Sequence, residues 1–538
     1  MRQIVSALRL GTLAGVCLLV QAGSAQNPTP VITAPNPPNT AAQQAKHYVV
    51  LVSLDGFRYD YPTKYGAPHL LALGAKGASA PDGMLPSYPS LTFPNHLAII
   101  TGLYPEHHGI VGNSFFDPSR DATYVYTQSK TNGDGSWYGG TPLWVLAEQQ
   151  GMRSACLFWP GSEAEIGGKR PSYYLKYDND LDDEKRIDQV IAWLQLPLEQ
   201  RPHFITLYYP NVDHAGHNYG PDSDEVRAAV HHLDDMMGDL QIKLDALHLP
   251  IDLVVVADHG MAALKPDNVN LSDFANLSNF HTEGSLLYPK TDADAAKAYE
   301  EFKAHPDPRF SVYRRADVPA NLHFNSNPRE GDPVIVPNGP YTIRAHASLA
   351  GAETQLHVLR GGHGFDPHTM PEMKAIFFAD GPDIRPATTV KPFENVNIYP
   401  FVAEMLGLTT PDIDGNIEVL QAALSGQEEN PRSSIVGNVL PPTLTHSVEP
   451  HFTKEALKAK KSGSVLVQLW VGQDGLPSHL HLVKSLGYGL DEKAMEAISK
   501  YRFKPATEGG TPVTVVLNIE VNFKYFDHVW GPYFSRQN

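Results

Sequence analysis

The sequence predicts a mostly parallel α/β sheet with helices on both faces, followed by a small α+β domain. Three observations lead there. Nearly continuous apolar runs recur at Tyr48–Leu54, Phe204–Tyr208, Leu253–Ala257 and Ala375–Phe378, as suits strands buried on both faces. Helical patterns lie between them, including Thr92–Thr101 and Ser223–Leu247, and this alternation marks an α/β domain. Beyond a polar, proline-containing stretch the texture changes to apolar alternation with a single helical pattern.

Taken in order, the chain begins with Arg2 and Arg9, the apolar run Leu10–Val20, and Gly23-Ser24-Ala25. This is the layout of a secretory signal peptide over residues 1–25, cut after Ala25, so the protein is expected to be exported, periplasmic or secreted. The run is too short for a membrane span. Residues 26–45 are rich in Pro, Asn, Thr and Ala and read as a disordered tether. A catalytic domain is expected over 46–424, with a loop-rich insertion between roughly 265 and 370, where long apolar runs are missing. A linker follows over 425–445. In the second domain, 446–524, Val465, Val467, Leu469 and Val471 alternate ahead of a turn at Gly472-Gln473-Asp474-Gly475. Leu490, Ala494, Ile498 and Tyr501 give a helix, and Val515, Leu517, Ile519, Val521 and Phe523 a second strand. Residues 525–538 form a tail.

At 538 residues the chain is too long for one ordinary core, and 42% apolar residues is normal for a folded protein. Signal cleavage leaves Cys156 as the only cysteine, which excludes an internal disulfide. Losing Arg2 and Arg9 takes the formal charge from −17 to −19. That disfavours binding to a nucleic-acid polymer or an anionic membrane, although metal cations could still hold an anionic substrate locally.

Asp55 directly follows the first buried strand. Asp213 and His217 follow the run Phe204–Tyr208 at i, i+4 spacing, and Asp258 and His259 follow Leu253–Ala257. His363 lies in Gly361-Gly362-His363-Gly364, and Thr92 opens a helix. Sites in open α/β sheets form at the carboxyl ends of strands, so three of these segments converge by topology. Three Asp and three His make two sets of three, the number a catalytic zinc needs while keeping a position open. Two such metals about 4 Å apart can clamp a phosphate. Backbone N–H groups behind Thr92 favour an anion, and metal coordination would activate its hydroxyl. Individually, each Asp is as readily a helix cap, Thr92 is most simply an N-cap, and one of 24 His is usually a surface group. Their conjunction at strand ends and a helix start is what sets them apart.

The segments Val52–Arg58, Pro89–His96, Gly102–Ile110, Phe158–Glu163, Asp213–His217 and Ala257–Met261 resemble the ectonucleotide pyrophosphatase/phosphodiesterase family of the alkaline phosphatase superfamily, over about residues 46–420. The resemblance implies an alkaline-phosphatase-like fold and two Zn2+ per chain. One zinc would take Asp213, His217 and His363. The other would take Asp55, Asp258 and His259, with Thr92 bridging towards it as nucleophile. Asn113 would bind a phosphate oxygen, and Phe93 and Tyr208 would sandwich a nucleobase. It implies a phosphodiesterase releasing nucleoside 5'-monophosphates through a phospho-threonine. Residues 446–524 are similar to the carboxy-terminal domain of TonB-type energy transducers, through Val448-Glu449-Pro450, Gly463–Val467, Asp474-Gly475 and Tyr501–Ala506. That implies docking to an outer-membrane or other envelope protein. Three rivals remain. Lys169 and Arg170 near the Trp159–Glu163 signature would suit a phosphomonoesterase. A lysophospholipid or choline phosphodiesterase uses the same scaffold. A non-catalytic docking protein would leave the ligand set vestigial.

Overall fold

The computed structural model describes residues 29–346, 360–425, 439–473 and 475–525. The signal segment, most of the linker, Asp474 of the expected turn and most of the tail lie outside the described residues. The chain forms two compact units that divide after Ser425. Among the described residues no helix is long and apolar enough to cross a membrane.

The first unit is built on a nine-stranded sheet. Its strands are β1 (Ile32–Thr33), β2 (Tyr48–Leu54), β3 (Ala78–Ser79), β4 (Ser154–Leu157), β5 (Tyr173–Leu175), β6 (Phe204–Tyr209), β7 (Ile251–Val256), β8 (Phe377–Asp380) and β9 (Thr388–Thr389). They lie in the order β1-β5-β4-β6-β2-β7-β8-β3-β9. The stretch β5-β4-β6-β2-β7 is parallel, whereas β1 and β8 join it antiparallel. All seven residues of β2 are buried. A strand covered on both faces has no solvent side, which is why its sequence does not alternate.

The helices around the sheet include α1 (Pro68–Lys76), α2 (Thr92–Thr101), α3 (Asp183–Leu194), α4 (Asn211–Tyr219), α5 (Asp224–Asp245) and α6 (Ile398–Leu406). Helices α1, α3 and α4 all pack on α5, while α2 packs on α6 and α6 on β2. Ser223 starts α5 by accepting a hydrogen bond from the Val226 N–H, satisfying one of the donors a helix start leaves open. Strand β2 lies between β6 and β7, with Ser53 paired to both Tyr208 and Val256. The residues that follow these three strands therefore emerge side by side.

One expectation for this unit needs correction and another needs detail. The stretch 26–45 is not a disordered tether from residue 29 onward. Ile32 and Thr33 pair with Tyr174 and Tyr173 at the sheet edge. The buried Asn39 amide donates to the Leu198 and Arg201 carbonyls and accepts from the Arg153 N–H. Composition missed this because the anchoring is polar and edge-wise, with little apolar burial. The expected loop-rich insertion is, over its described residues 265–346 and 360–370, mostly turns and irregular chain, but it also holds a helix over Asp292–Ala304, two antiparallel strand pairs and a core around Phe302, Phe310 and Ile335. The helix buries only Ala295, Ala298 and Phe302, too sparse a stripe to read as an apolar run.

The second unit is α+β. Strands β10 (Gly463–Val471), β11 (Pro477–Lys484) and β12 (Val515–Phe523) form an antiparallel sheet in the order β11-β10-β12, with Gly463 opposite Phe523 and Val471 opposite Val515. Leu490, Ala494 and Ile498 of α7 (Leu490–Ile498) join the alternate residues of β10 in one core. The expected linker does not extend to residue 445. Val439–Leu440 pairs with Thr507–Glu508, and Thr443–His446 with Arg502–Lys504. Proline and exposed side chains disguised these short edge strands.

Candidate functional site

The residues singled out at strand ends and at the start of α2 come together. Asp55 follows β2, and Gly56 behind it adopts φ +68°. A Cβ at Gly56 would sit 2.8 Å from the Asp213 Cα, so only glycine lets this turn press against the start of α4. The Gly56 N–H donates to Asp258 Oδ1 at 3.2 Å, and the Asp213 N–H to the Asp55 carbonyl at 3.1 Å. These two bonds tie the three strand ends together. Leu91, not Thr92, is the N-cap of α2, and it makes no side-chain cap bond. The Thr92 hydroxyl instead faces His259 Nε2 at 3.3 Å, which removes the simple capping explanation.

Two donor sets result. His217 Nε2 lies 3.1 Å from His363 Nε2 and 3.4 Å from Asp213 Oδ1, with His363 Nε2 3.6 Å from the same oxygen. His259 Nε2 lies 3.0 Å from Asp258 Oδ2 and 3.5 Å from Asp55 Oδ1. Atoms about 2.0–2.1 Å from one tetrahedral zinc stand roughly 3.3 Å apart, so both sets have the spacing of donors around a single cation. The rings of His259 and His363 stack at 3.6 Å, so the sets adjoin.

The unpartnered atoms fit the same reading. Asp55 Oδ1, Asp213 Oδ1 and Asp258 Oδ2 are buried without a hydrogen-bond partner, a costly state for carboxylates unless a cation meets them. The second nitrogen of each ring is already engaged: His217 Nδ1 faces the Gly361 carbonyl, His363 Nδ1 that of Ser90, and His259 Nδ1 that of Gly260, each at 2.9 Å. Donation from Nδ1–H leaves the Nε2 lone pair directed into the cluster, as metal-bound histidines require.

The electrostatics agree. Burial, then the Asp258 and Asp213 carboxylates, push Asp55 well above the usual carboxylate range. Burial raises Asp213 against the opposing pull of His217 and His259. Burial also works against ionised Asp258, but His259, His96 and the Gly56 N–H together hold its carboxyl low. Burial, with His259 and His217 beside it, pulls the His363 imidazole well below its ordinary value. Burial works against protonated His259, but the adjoining Asp258 carboxylate outweighs it and His259 is raised; the buried carboxyls thus crowd one another and the imidazoles are pulled in opposite directions.

Asn113 Oδ1 accepts the Phe93 N–H at 2.9 Å, which fixes its amide at the mouth of α2. The aromatic pair is not brought together as expected. Phe93 packs against Tyr126 and Tyr124. Tyr208 is 7% exposed, lies edge-on to His96 and donates its hydroxyl to Asp55 Oδ2 at 2.5 Å. It therefore offers no open face for stacking. The exposed aromatics that feel the Asp55 charge are Tyr126 and Tyr177.

His96 was also missed. Fully buried, it contacts the Thr92 carbonyl through Nδ1 and Ser53 Oγ through Nε2, and lies 3.4 Å from Asp258 Oδ2. Its position one turn after Thr92 was the available signal. Arg170 is engaged with the Glu163 carbonyl and lies 3.5 Å from Glu165.

Residues 49–366 match the family model "Type I phosphodiesterase / nucleotide pyrophosphatase". Residues 448–525 match "Gram-negative bacterial TonB protein C-terminal". An uncharacterized pyrophosphatase/phosphodiesterase of Schizosaccharomyces pombe is 33% identical over 69% of this chain and 79% of its own length. Ectonucleotide pyrophosphatase/phosphodiesterase family member 1 of Homo sapiens is 34% identical over 71% of this chain, which spans only 42% of that relative. Among solved structures, murine ectonucleotide pyrophosphatase/phosphodiesterase 5 superposes with a TM-score of 0.65 at 28% identity, covering 70% of this chain and all of that one. An inactive threonine-to-alanine form of the murine protein is known in complex with AMP, at a TM-score of 0.64 and 27% identity over 71% of this chain and all of that one.

Proposed function

Because the chain belongs to the type I phosphodiesterase/nucleotide pyrophosphatase family, whose members are hydrolases, we propose that it is an exported, zinc-dependent phosphodiesterase releasing nucleoside 5'-monophosphates. Thr92 is its nucleophile. The observation that carries this reading is the Thr92 hydroxyl, turned away from capping α2 and towards six converging Asp and His donors.

Asp213, His217 and His363 would hold one zinc, and Asp55, Asp258 and His259 the other. Bound there, the two cations would neutralise phosphate oxygens and make the Thr92 hydroxyl a usable nucleophile. Thr92 Oγ1 then forms a bond to phosphorus as the first ester or anhydride oxygen departs. Water cleaves the phospho-threonine in a second displacement, so configuration at phosphorus is retained. The Asn113 amide, held by the Phe93 N–H, directs its Nδ2 donor at a non-bridging oxygen. The amides at the start of α2 complement the negative charge. His96 and Tyr208 act as positioning residues, on Asp258 and Asp55 respectively.

Engagement of Arg170 by Glu163 and Glu165 leaves the diesterase reading ahead of the phosphomonoesterase one. For the second unit the proposed role is docking to an envelope protein, in keeping with its match to TonB C-terminal domains.

The test compares hydrolysis of a nitrophenyl ester of thymidine monophosphate with that of nitrophenyl phosphate, after chelation, after zinc restoration and with Thr92→Ala. The expected result is diesterase activity dependent on both zinc and Thr92. Dominant monoesterase activity, or diesterase activity surviving Thr92→Ala, would refute the assignment.

A further inference from the structure

A second group of metal-type donors lies at the other end of the sheet. His47 immediately precedes β2, whereas Asp55 follows it. At roughly 3.3 Å per residue the two ends are about 25 Å apart. Asp252 is the second residue of β7 and pairs with Val49. Asp383 comes three residues after β8, which runs antiparallel to β7 and so returns the chain to the same end.

The local structure holds these residues tightly. The Asp383 N–H donates to Asp252 Oδ1 at 2.9 Å. That approach depends on Gly381: its φ is +153°, and a Cβ there would meet Asp252 Oδ1 at 2.3 Å. His47 Nδ1 lies 2.8 Å from Asp383 Oδ2. The His47 carbonyl is contacted by His203 Nδ1 at 3.0 Å, and the His203 ring stacks on Tyr48 at 4.3 Å. The start of β2 is thereby fixed.

Asp252 has 0% exposure, and its Oδ2 has no hydrogen-bond partner. One donor atom from each of His47, Asp252 and Asp383 falls within 4.8 Å of the others. Asp380, whose Oδ2 is 2.7 Å from Lys76 Nζ, adds a further carboxylate nearby. The side chains of His47 and Asp383 are 38% and 30% exposed, which leaves an entry path.

We propose that His47, Asp252 and Asp383 bind a divalent transition-metal cation at this end of the sheet, separate from the candidate catalytic centre. One imidazole with two carboxylates suits Zn2+ or Mn2+ better than Ca2+ or Mg2+, which favour all-oxygen donors. The cation would meet the buried Asp252 oxygen and clamp the starts of β2 and β7 to the turn after β8. Its role is structural, since its three donors come from the chain just before β2, from the start of β7 and from the turn after β8.

The test uses the whole mature chain, stripped with chelator, reloaded with Zn2+, desalted and analysed for metal per chain by mass spectrometry. His47→Gln alters a part-exposed side chain and is expected to fold normally, which circular dichroism checks; Asp252→Asn is the second variant. Each should hold one equivalent fewer than the unsubstituted chain, while His47→Gln keeps phosphodiesterase activity within about twofold. His363→Ala should lose metal from the catalytic sets, so a failure of that reading stays distinguishable from a failure of this one. Equal metal content in His47→Gln and the unsubstituted chain would overturn the proposal. A proton shared between Asp252 and Asp383 would then be the better account.

Discussion

Replacing Tyr208 by Phe separates two roles for one residue. The sequence suggests a stacking platform, whereas the structure gives a buried hydroxyl donating to Asp55 Oδ2 at 2.5 Å. That bond leaves Asp55 Oδ1, buried and unpartnered, to face the donor set. A hydrogen bond to a charged group contributes about 1.5–3 kcal/mol, and loss of a partner behind a metal ligand typically costs 10–100-fold in metal affinity. Tyr208→Phe keeps the ring and its packing against His96, so the lost bond is the main change. The assay is a zinc titration of the stripped enzyme, following diester hydrolysis. The zinc concentration for half-activation should rise 10–100-fold, with kcat at saturating zinc within about threefold of the unsubstituted enzyme. An unchanged zinc midpoint, with KM raised for nucleotide esters but not for a phenyl phosphodiester lacking a base, would refute the positioning role and restore the stacking one.

Thr92→Ala should lower kcat by at least about 10³-fold, in the range seen when nucleophiles of this kind are removed. Its zinc content should stay unchanged, whereas Thr92→Ser should retain measurable turnover. Burial, with Glu106 beside it, pushes the Glu330 carboxyl up to about 8 from its ordinary 4.5. The folded chain therefore binds this proton more tightly than the unfolded chain, and stability falls as pH rises between those values. Glu330→Gln should be the more stable form above pH 8 by up to about 5 kcal/mol, with the gap closing near pH 4 in denaturant melts. Removing residues 426–538 should leave diester hydrolysis within about twofold but abolish retention on outer-membrane extracts. Equal retention of both forms would sink the docking role.

The donor residues were legible because each ends a buried run or starts a helix, and topology brings such ends together. Asp55, Asp213 and Asp258 need only the neighbouring positions of β2, β6 and β7. Tyr208 was not legible. It sits in the run Phe204–Tyr209, where an aromatic reads as core, and its hydroxyl finds Asp55 only through the pairing of Tyr208 with Ser53. Gly56 acts through a backbone approach that leaves no periodic trace, and the only sign of His96 is its place one turn after Thr92. The helix at Asp292–Ala304 shows no apolar run because two of its three buried residues are alanine. In the second unit the alternation of β10 and the 3.6-residue spacing of α7 were both visible. The short strands at Val439–Leu440 and Thr443–His446 have no pattern of their own and take their pairing from residues 502–508.

The pairing of Ile32–Thr33 with Tyr173–Tyr174 has a practical consequence for where this protein can be cut. A shortened chain beginning at residue 46 would keep every donor around Thr92. It would also bare the β5 edge, with its row of open amides and carbonyls, and strand the backbone groups that Asn39 now serves. Open edges of that kind recruit other strands. Such a fragment should self-associate while its chemistry survives, and the remedy is to begin the chain before residue 29.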